Sequence, residues 1–204
     1  MNIKLDNVGK RFERNWIFRN LNLNFVQGKR YVVLGANGSG KSTLLKIASG
    51  NLTPTEGTLV YSNSKGDISI DEVYKSVSIA APYLDVPEEY SLHELLTFHK
   101  VFKPIQNNLT EKDIIDVLEL SHTKEKMYKH FSSGMKQRVK LGLAILSATP
   151  LLLLDEPATA LDAKSVVWYQ NMIKNYAKDK TIIVFSNNKE EEFSFCEERM
   201  TIGN

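Results

Sequence analysis

Cysteine is nearly absent. Cys196 is the single one in 204 residues, so no disulfide can form within the chain. A chain of this length buries about 70% of its unfolded surface and needs no covalent staple. The lone thiol is expected to be an ordinary small, buried or half-buried residue of a reducing compartment. Long apolar runs are missing too, and no window reaches the roughly 18–20 apolar residues of a membrane span. The greasiest stretch, Leu141–Leu154, is broken by Gly142, Ser147, Thr149 and Pro150, and reads as a helix end, a turn and a buried strand. Lys4 and Asp6 interrupt the first residues, so no signal peptide is expected. Any transmembrane role must therefore come through a partner chain. An excess of one charge is lacking as well. The 26 basic and 24 acidic side chains leave a net charge of +2, which gives no global field for nucleic acid or anionic lipid.

What is present alternates between two periodicities. Ile3–Val8, Leu21–Phe25, Thr58–Tyr61 and Val77–Ala80 have strand patterns, with a turn at Ser62–Gly66. Tyr31–Leu34, Leu151–Leu154 and Ile182–Phe185 are continuous apolar runs, as expected of strands covered on both faces. Helices are predicted over Ser42–Ser49, from the Ser91–Glu94 capping box to Phe102, from Thr110 to near Leu120, over Ser133–Ser147, and over Ala163–Tyr176. The acidic run Glu190–Glu192 reads as a solvated helix face. Strands alternating with helices predict an α/β fold around a mostly parallel sheet. The segment 83–130 shows only helices and loops and reads as a helical subdomain.

Gly35-Ala36-Asn37-Gly38-Ser39-Gly40-Lys41-Ser42 satisfies G-x-x-x-x-G-K-[ST] between a buried strand and a helix. The glycines admit backbone angles that turn successive N–H groups inward, and the helix amino terminus adds orphan donors and a favourable dipole. Lys41 supplies a mobile cation for the β- and γ-phosphates, and Ser42 a hydroxyl for Mg²⁺. Leu151–Leu154 then ends in Asp155-Glu156. Acids at the carboxyl end of a buried strand sit where α/β sheets bind ligands. Asp155 suits Mg²⁺, directly or through a water, and Glu156 is placed to polarise an attacking water. Together these residues predict binding and hydrolysis of MgATP.

Phe131-Ser132-Ser133-Gly134-Met135-Lys136-Gln137-Arg138 resembles the signature of the ATP-binding cassette (ABC) ATPases, with Ser132 and Gly134 matching and Phe131, Ser133 and Met135 variant. The order of motifs fits that family over essentially the whole chain, including Ala160-Leu161-Asp162, which is similar to its D-loop. The resemblance implies one domain over 1–204: a P-loop NTPase-type core from 1–82 and 131–204, with a small amino-terminal β subdomain, and the helical subdomain 83–130. It implies that residues Gly35 through Ser42, with Thr43, hold the phosphates. It also implies that Ser132 and Gly134 face the γ-phosphate bound by a second cassette, in a homodimer or heterodimer. An aromatic side chain stacks on adenine in the family. Phe12 occupies the matching position, with Trp16 a nearby rival.

Two positions depart from the pattern. Tyr83 follows Ala81-Pro82 where the family has a glutamine near the metal, although the alignment there can slip by a residue or more. Asn187 follows the last core strand where the family has a histidine; its amide can donate one hydrogen bond but cannot become cationic. Slow hydrolysis that still depends on Glu156 is the expectation. The leading function is the ATP-hydrolysing subunit of a membrane transporter, of a compact exporter type. It would be cytoplasmic and peripheral on the membrane through a separate integral membrane subunit, with no nucleic acid as partner. The loop Tyr83–Tyr90, with Pro82, Pro87, Asp85, Glu88 and Glu89, is the candidate coupling surface. A soluble ABC-type ATPase and a slow regulatory ATP-binding module are the alternatives.

Overall fold

The structure is a computed structural model and describes residues 1–84, 86–123 and 126–203. The first elements are β1 (Asn2–Phe12), β2 (Asn15–Phe25), β3 (Arg30–Leu34), α1 (Lys41–Ala48), β4 (Glu56–Asn63) and β5 (Gly66–Ile68). Then follow α2 (Val73–Ser76), β6 (Val77–Ala80), α3 (Leu92–Phe102), α4 (Glu111–Val117) and α5 (Ser133–Leu146). The chain closes with β7 (Leu151–Asp155), α6 (Ala163–Tyr176), β8 (Thr181–Ser186), α7 (Glu190–Phe193) and β9 (Glu198–Thr201). Short 3₁₀ turns connect several of them.

Two compact units are formed. The first contains residues 1–79, 149–156 and 179–204, and the second contains 80–148 and 157–178. The α/β fold expected from the alternation is present. One sheet has the order β6-β7-β8-β3-β9, and β7–β8, β3–β8 and β3–β9 pair in parallel. The apolar runs explain its centre: every residue of β7 and β8 is buried. The other sheet, β2-β1-β4-β5, pairs antiparallel throughout and forms the amino-terminal β subdomain. A single core in the first unit joins Ile3, Leu5 and Phe25 to Leu44, Ile47, Leu153 and Phe185.

The second unit is helical and takes in α5 and α6 as well as α3 and α4. Its helices start at side-chain caps. Ser91 and Glu94 form the predicted capping box of α3, and Thr110 and Asp113 a second one for α4. Ser132 caps α5 through Met135 N–H at 3.3 Å, and Asp162 caps α6 through Ser165 N–H at 2.8 Å.

The structure corrects three expectations. The strand expected at Leu21–Phe25 is the end of an eleven-residue β2, whose first half pairs across a bulged register with β1. The helix expected to reach Leu120 stops at Val117. Glu119 adopts φ 56°, its N–H donates to Asp116 O, and Leu120 N–H reaches back to Ile115 O. That is a Schellman stop, built here on a glutamate where glycine is usual. The acidic run is not uniformly solvated: Glu190 and Glu191 are exposed, whereas Glu192 is fully buried.

Candidate functional site

The loop between β3 and α1 starts from a fixed point. Gly35 N–H donates to Ser186 O at 3.3 Å, tying the loop to the end of β8. A side chain at Gly35 would meet Ser39 Oγ at 2.3 Å and Ile202 O at 2.8 Å, so the tight turn requires glycine. Gly40 has φ 98°, a left-handed angle, and a Cβ there would lie 2.6 Å from Ile17 Cγ2. Unlike α3, α4, α5 and α6, α1 has no side-chain cap. Its first N–H groups are therefore left for an outside acceptor, and a phosphate satisfies both them and the helix dipole.

Lys41 is buried, and its Nζ donates to Gly35 O at 2.7 Å and Ala36 O at 3.1 Å. These bonds fold the lysine back onto its own loop. Ser42 Oγ donates to Asp155 Oδ2 at 2.8 Å. Burial pushes the Asp155 carboxyl above the usual carboxylate value; the neighbouring Glu156 adds to this, while the Ser42 hydrogen bond and Lys41 oppose it. Ser39 Oγ is buried with no hydrogen-bond partner. Glu156 stands one residue beyond β7 in a left-handed conformation, φ 44°, held by its N–H on Phe185 O at 2.9 Å. For a non-glycine residue that conformation costs about 1–3 kcal/mol, and such strain clusters where a side chain must be aimed.

A cleft of about 360 Å³ brings Lys41, Ser42 and Glu156 together, lined also by Asn37, Gly38, Gly40, Thr43 and Ile17 of β2. Among the described residues no cluster of three His, Cys, Asp or Glu side chains is arranged to hold a metal by itself. The Ser42–Asp155 pair fits magnesium differently. It offers two hard oxygens, and Mg²⁺ is generally bound by one or two carboxylates with substrate phosphates and waters completing the shell.

The remaining candidates are placed as follows. Phe12, at the end of β1, is 47% exposed and has Lys10 Nζ 5.1 Å from its ring centre. Trp16 carries Arg19 at 4.2 Å and Arg11 at 5.3 Å. Neither ring lines the cleft; Ile17 does, and it was not singled out from the sequence. The signal for Ile17 is non-local, since it comes from Gly40 lacking a side chain beneath it. Asn187 is half-buried, directly after β8, and also lies off the cleft wall. In the second unit, Ser132 and Gly134 open α5, and Tyr83 is exposed in the turn after β6. Asp85 lies outside the described residues.

Known proteins share this chain's sequence pattern and fold. Residues 18–159 match the family model for the ABC transporter. An uncharacterized ABC transporter ATP-binding protein of Bacillus subtilis, YybJ, is 31% identical over 96% of this chain and 89% of its own length. SrtF, a lantibiotic transport ATP-binding protein of Streptococcus pyogenes, is 29% identical over 91% and 79%. Among solved structures, a putative ABC transporter ATP-binding protein of Pyrococcus furiosus superposes with a TM-score of 0.82 at 22% identity over 99% of this chain and 98% of that one. The dimeric cassette MJ0796, in a post-hydrolysis state with ADP and phosphate, superposes at 0.83 with 23% identity over 98% and 94%. No helix among the described residues is long and apolar enough to cross a membrane. The chain belongs to the ABC transporter family, as one of its ATP-hydrolysing cassettes.

Proposed function

We propose that this cassette powers an exporter-type transporter, closing on a second cassette when ATP binds and passing that motion to a separate membrane subunit, with which it sits peripherally on the cytoplasmic face. The observation that carries the reading is the 2.8 Å contact of Ser42 with Asp155 in the cleft that Lys41 and Glu156 share. The relatives named for lantibiotic transport in Streptococcus pyogenes and, at 28% identity, bacitracin transport in Bacillus licheniformis support a transport role. In this reading Gly35, Ala36, Asn37, Gly38, Ser39, Gly40 and Thr43 cradle the triphosphate. Lys41 exchanges its two loop carbonyls for the β- and γ-phosphates. Ser42 and Asp155 would hold Mg²⁺, which would neutralise charge on the phosphate oxygens when bound, and the Tyr83 hydroxyl is the candidate in place of the family's glutamine near the metal. Glu156 takes a proton from water as the water oxygen bonds to the γ-phosphorus. The bond from that phosphorus to the bridging oxygen breaks, and ADP and phosphate leave. Asn187 donates its amide to the γ-phosphate, Ser132 and Gly134 of the opposite cassette complete the clamp, and Phe12 covers adenine.

A phosphate-release assay on the purified chain tests the reading. Glu156→Gln should lower turnover by about 10²–10⁴-fold, the range for a positioned general base. A Glu156→Gln protein as active as wild type would eliminate the assignment. Wild-type protein that binds ATP without turnover would favour the regulatory module, which the substitutions at Tyr83 and Asn187 keep in view.

A further inference from the structure

Glu192 is a buried acid that the reaction described above does not use. It is 0% exposed, on a helix of four residues whose other two acids face solvent. A buried carboxyl group is costly unless it is hydrogen-bonded. Ser186 provides that bond, its Oγ donating to Glu192 Oε2 at 2.5 Å. With its hydrogen directed at Glu192, the same oxygen accepts Lys189 N–H at 3.3 Å. One hydroxyl thus closes the turn 186–189. That turn contains Asn187, and Asn188 in a left-handed conformation, φ 81°. Asparagine adopts that angle readily, so the turn depends on the bonds around it, and α7 is too short to hold it by its own helical bonding. Glu192 N–H donates to Lys189 O at 2.9 Å, closing the arrangement from the other side.

The backbone of Ser186 faces the phosphate loop. Its carbonyl accepts Gly35 N–H at 3.3 Å, and the Gly35 carbonyl accepts Lys41 Nζ at 2.7 Å. The residue that Glu192 fixes is therefore the junction between the phosphate loop and the turn that carries Asn187.

We infer that Glu192 is a positioning residue for ATP hydrolysis: by fixing the Ser186 hydroxyl it sets the 186–189 turn and so aims the Asn187 amide. The inference rests on the proposed role of Asn187 at the γ-phosphate. Its consequence is a division of labour. Strand pairing holds the Ser186 carbonyl, so nucleotide binding survives loss of the Glu192 contact, whereas the aim of Asn187 does not.

The test is steady-state phosphate release with mant-ATP binding measured in parallel. Glu192→Ala and Ser186→Ala should each lower kcat by about tenfold with KM and mant-ATP affinity within about twofold, the pattern of a contact that matters in the transition state. Glu192→Gln, which keeps an acceptor for the Ser186 hydroxyl, should recover kcat to within about threefold of wild type. In an Asn187→Ala background, Glu192→Ala should add less than about twofold, because the group it positions is gone. An equal loss in both backgrounds, or a loss of affinity that matches the loss of kcat, would reduce Glu192 to a packing role and overturn the inference. Asn187→Ala with wild-type turnover would instead defeat the role assigned to Asn187. Should Glu192→Ala fail to fold, Ser186→Ala carries the same comparison.

Discussion

Asp155 meets two opposed demands. Magnesium needs it ionised, but burial favours its neutral form and raises its pKa, with Glu156 acting in the same direction. A carboxyl whose folded pKa lies above its unfolded value contributes stability that is full below the unfolded value of 3.8 and is lost as pH rises through the folded one. Ionising Asp155 in the nucleotide-free protein therefore costs folding stability. Asp155→Asn should raise the melting temperature of the nucleotide-free protein at pH 7, lose that advantage in acid, and abolish the extra stabilisation given by MgATP over ATP with chelator. An unchanged melting temperature at both pH values would remove burial as the cause. At this scale much of the site was legible. Lys41, Ser42, Asp155 and Glu156 sit in motifs where backbone and chemistry are specified together, and the structure brings all four to one cleft or its edge. Glu192 was not legible, because three consecutive glutamates read as solvent-facing and only the nearby hydroxyl of Ser186 draws one of them inside. Ile17 was missed for a similar reason: its importance depends on a glycine more than twenty residues further on.

The helices were read well wherever a local cap announced them. Ser91, Thr110, Ser132 and Asp162 each start a helix, and α3 and α6 have the bounds expected from sequence. The elements missed were short and held from outside. They are β5, with three residues, α2, with four, and β9, which pairs with β3 across more than 160 residues. The stop of α4 was also missed, because its left-handed residue is Glu119 where glycine or asparagine would have signalled it. Close packing within the second unit was equally invisible. Gly142 lies inside α5, where alanine would gain about 1 kcal/mol from helix propensity alone. Yet a Cβ at that position would be 2.0 Å from Leu118 Cδ2, and Leu118 is fully buried. Overpacking a close-packed core costs about 1–3 kcal/mol, so the clash outweighs the propensity. Gly142→Ala should lower stability by up to about 2 kcal/mol in urea unfolding, and Gly142→Ala with Leu118→Ala should recover part of the clash term. A stabilised Gly142→Ala single variant would show that Leu118 swings aside freely.

For the molecule as a whole, net charge near zero supplies no long-range pull toward a second copy, and the proposed closure rests on nucleotide-dependent contacts at the site. Ligand that binds only the folded state stabilises by RT ln(1 + [L]/Kd), about 2.7 kcal/mol at a hundredfold excess over Kd. For a chain of this size that shifts the melting temperature by about 5–10 °C. Glu156→Gln, expected to bind ATP and turn it over slowly, should show that shift with MgATP, and Lys41→Ala should show little of it. If closure pairs two copies by a two-fold axis, each site draws its phosphate loop from one copy and Ser132 with Gly134 from the other. Glu156→Gln with MgATP should then elute as a dimer and return to monomer with ADP. Adding Ser132→Tyr should abolish the dimer while leaving mant-ATP affinity of the monomer within about threefold, since in the proposed dimer Ser132 would meet only the partner's nucleotide. The two measurements separate the alternatives. A dimer that persists in the Ser132→Tyr variant places the interface elsewhere, and a fall in monomer affinity equal to the loss of dimer would mean that Ser132 serves its own chain's nucleotide.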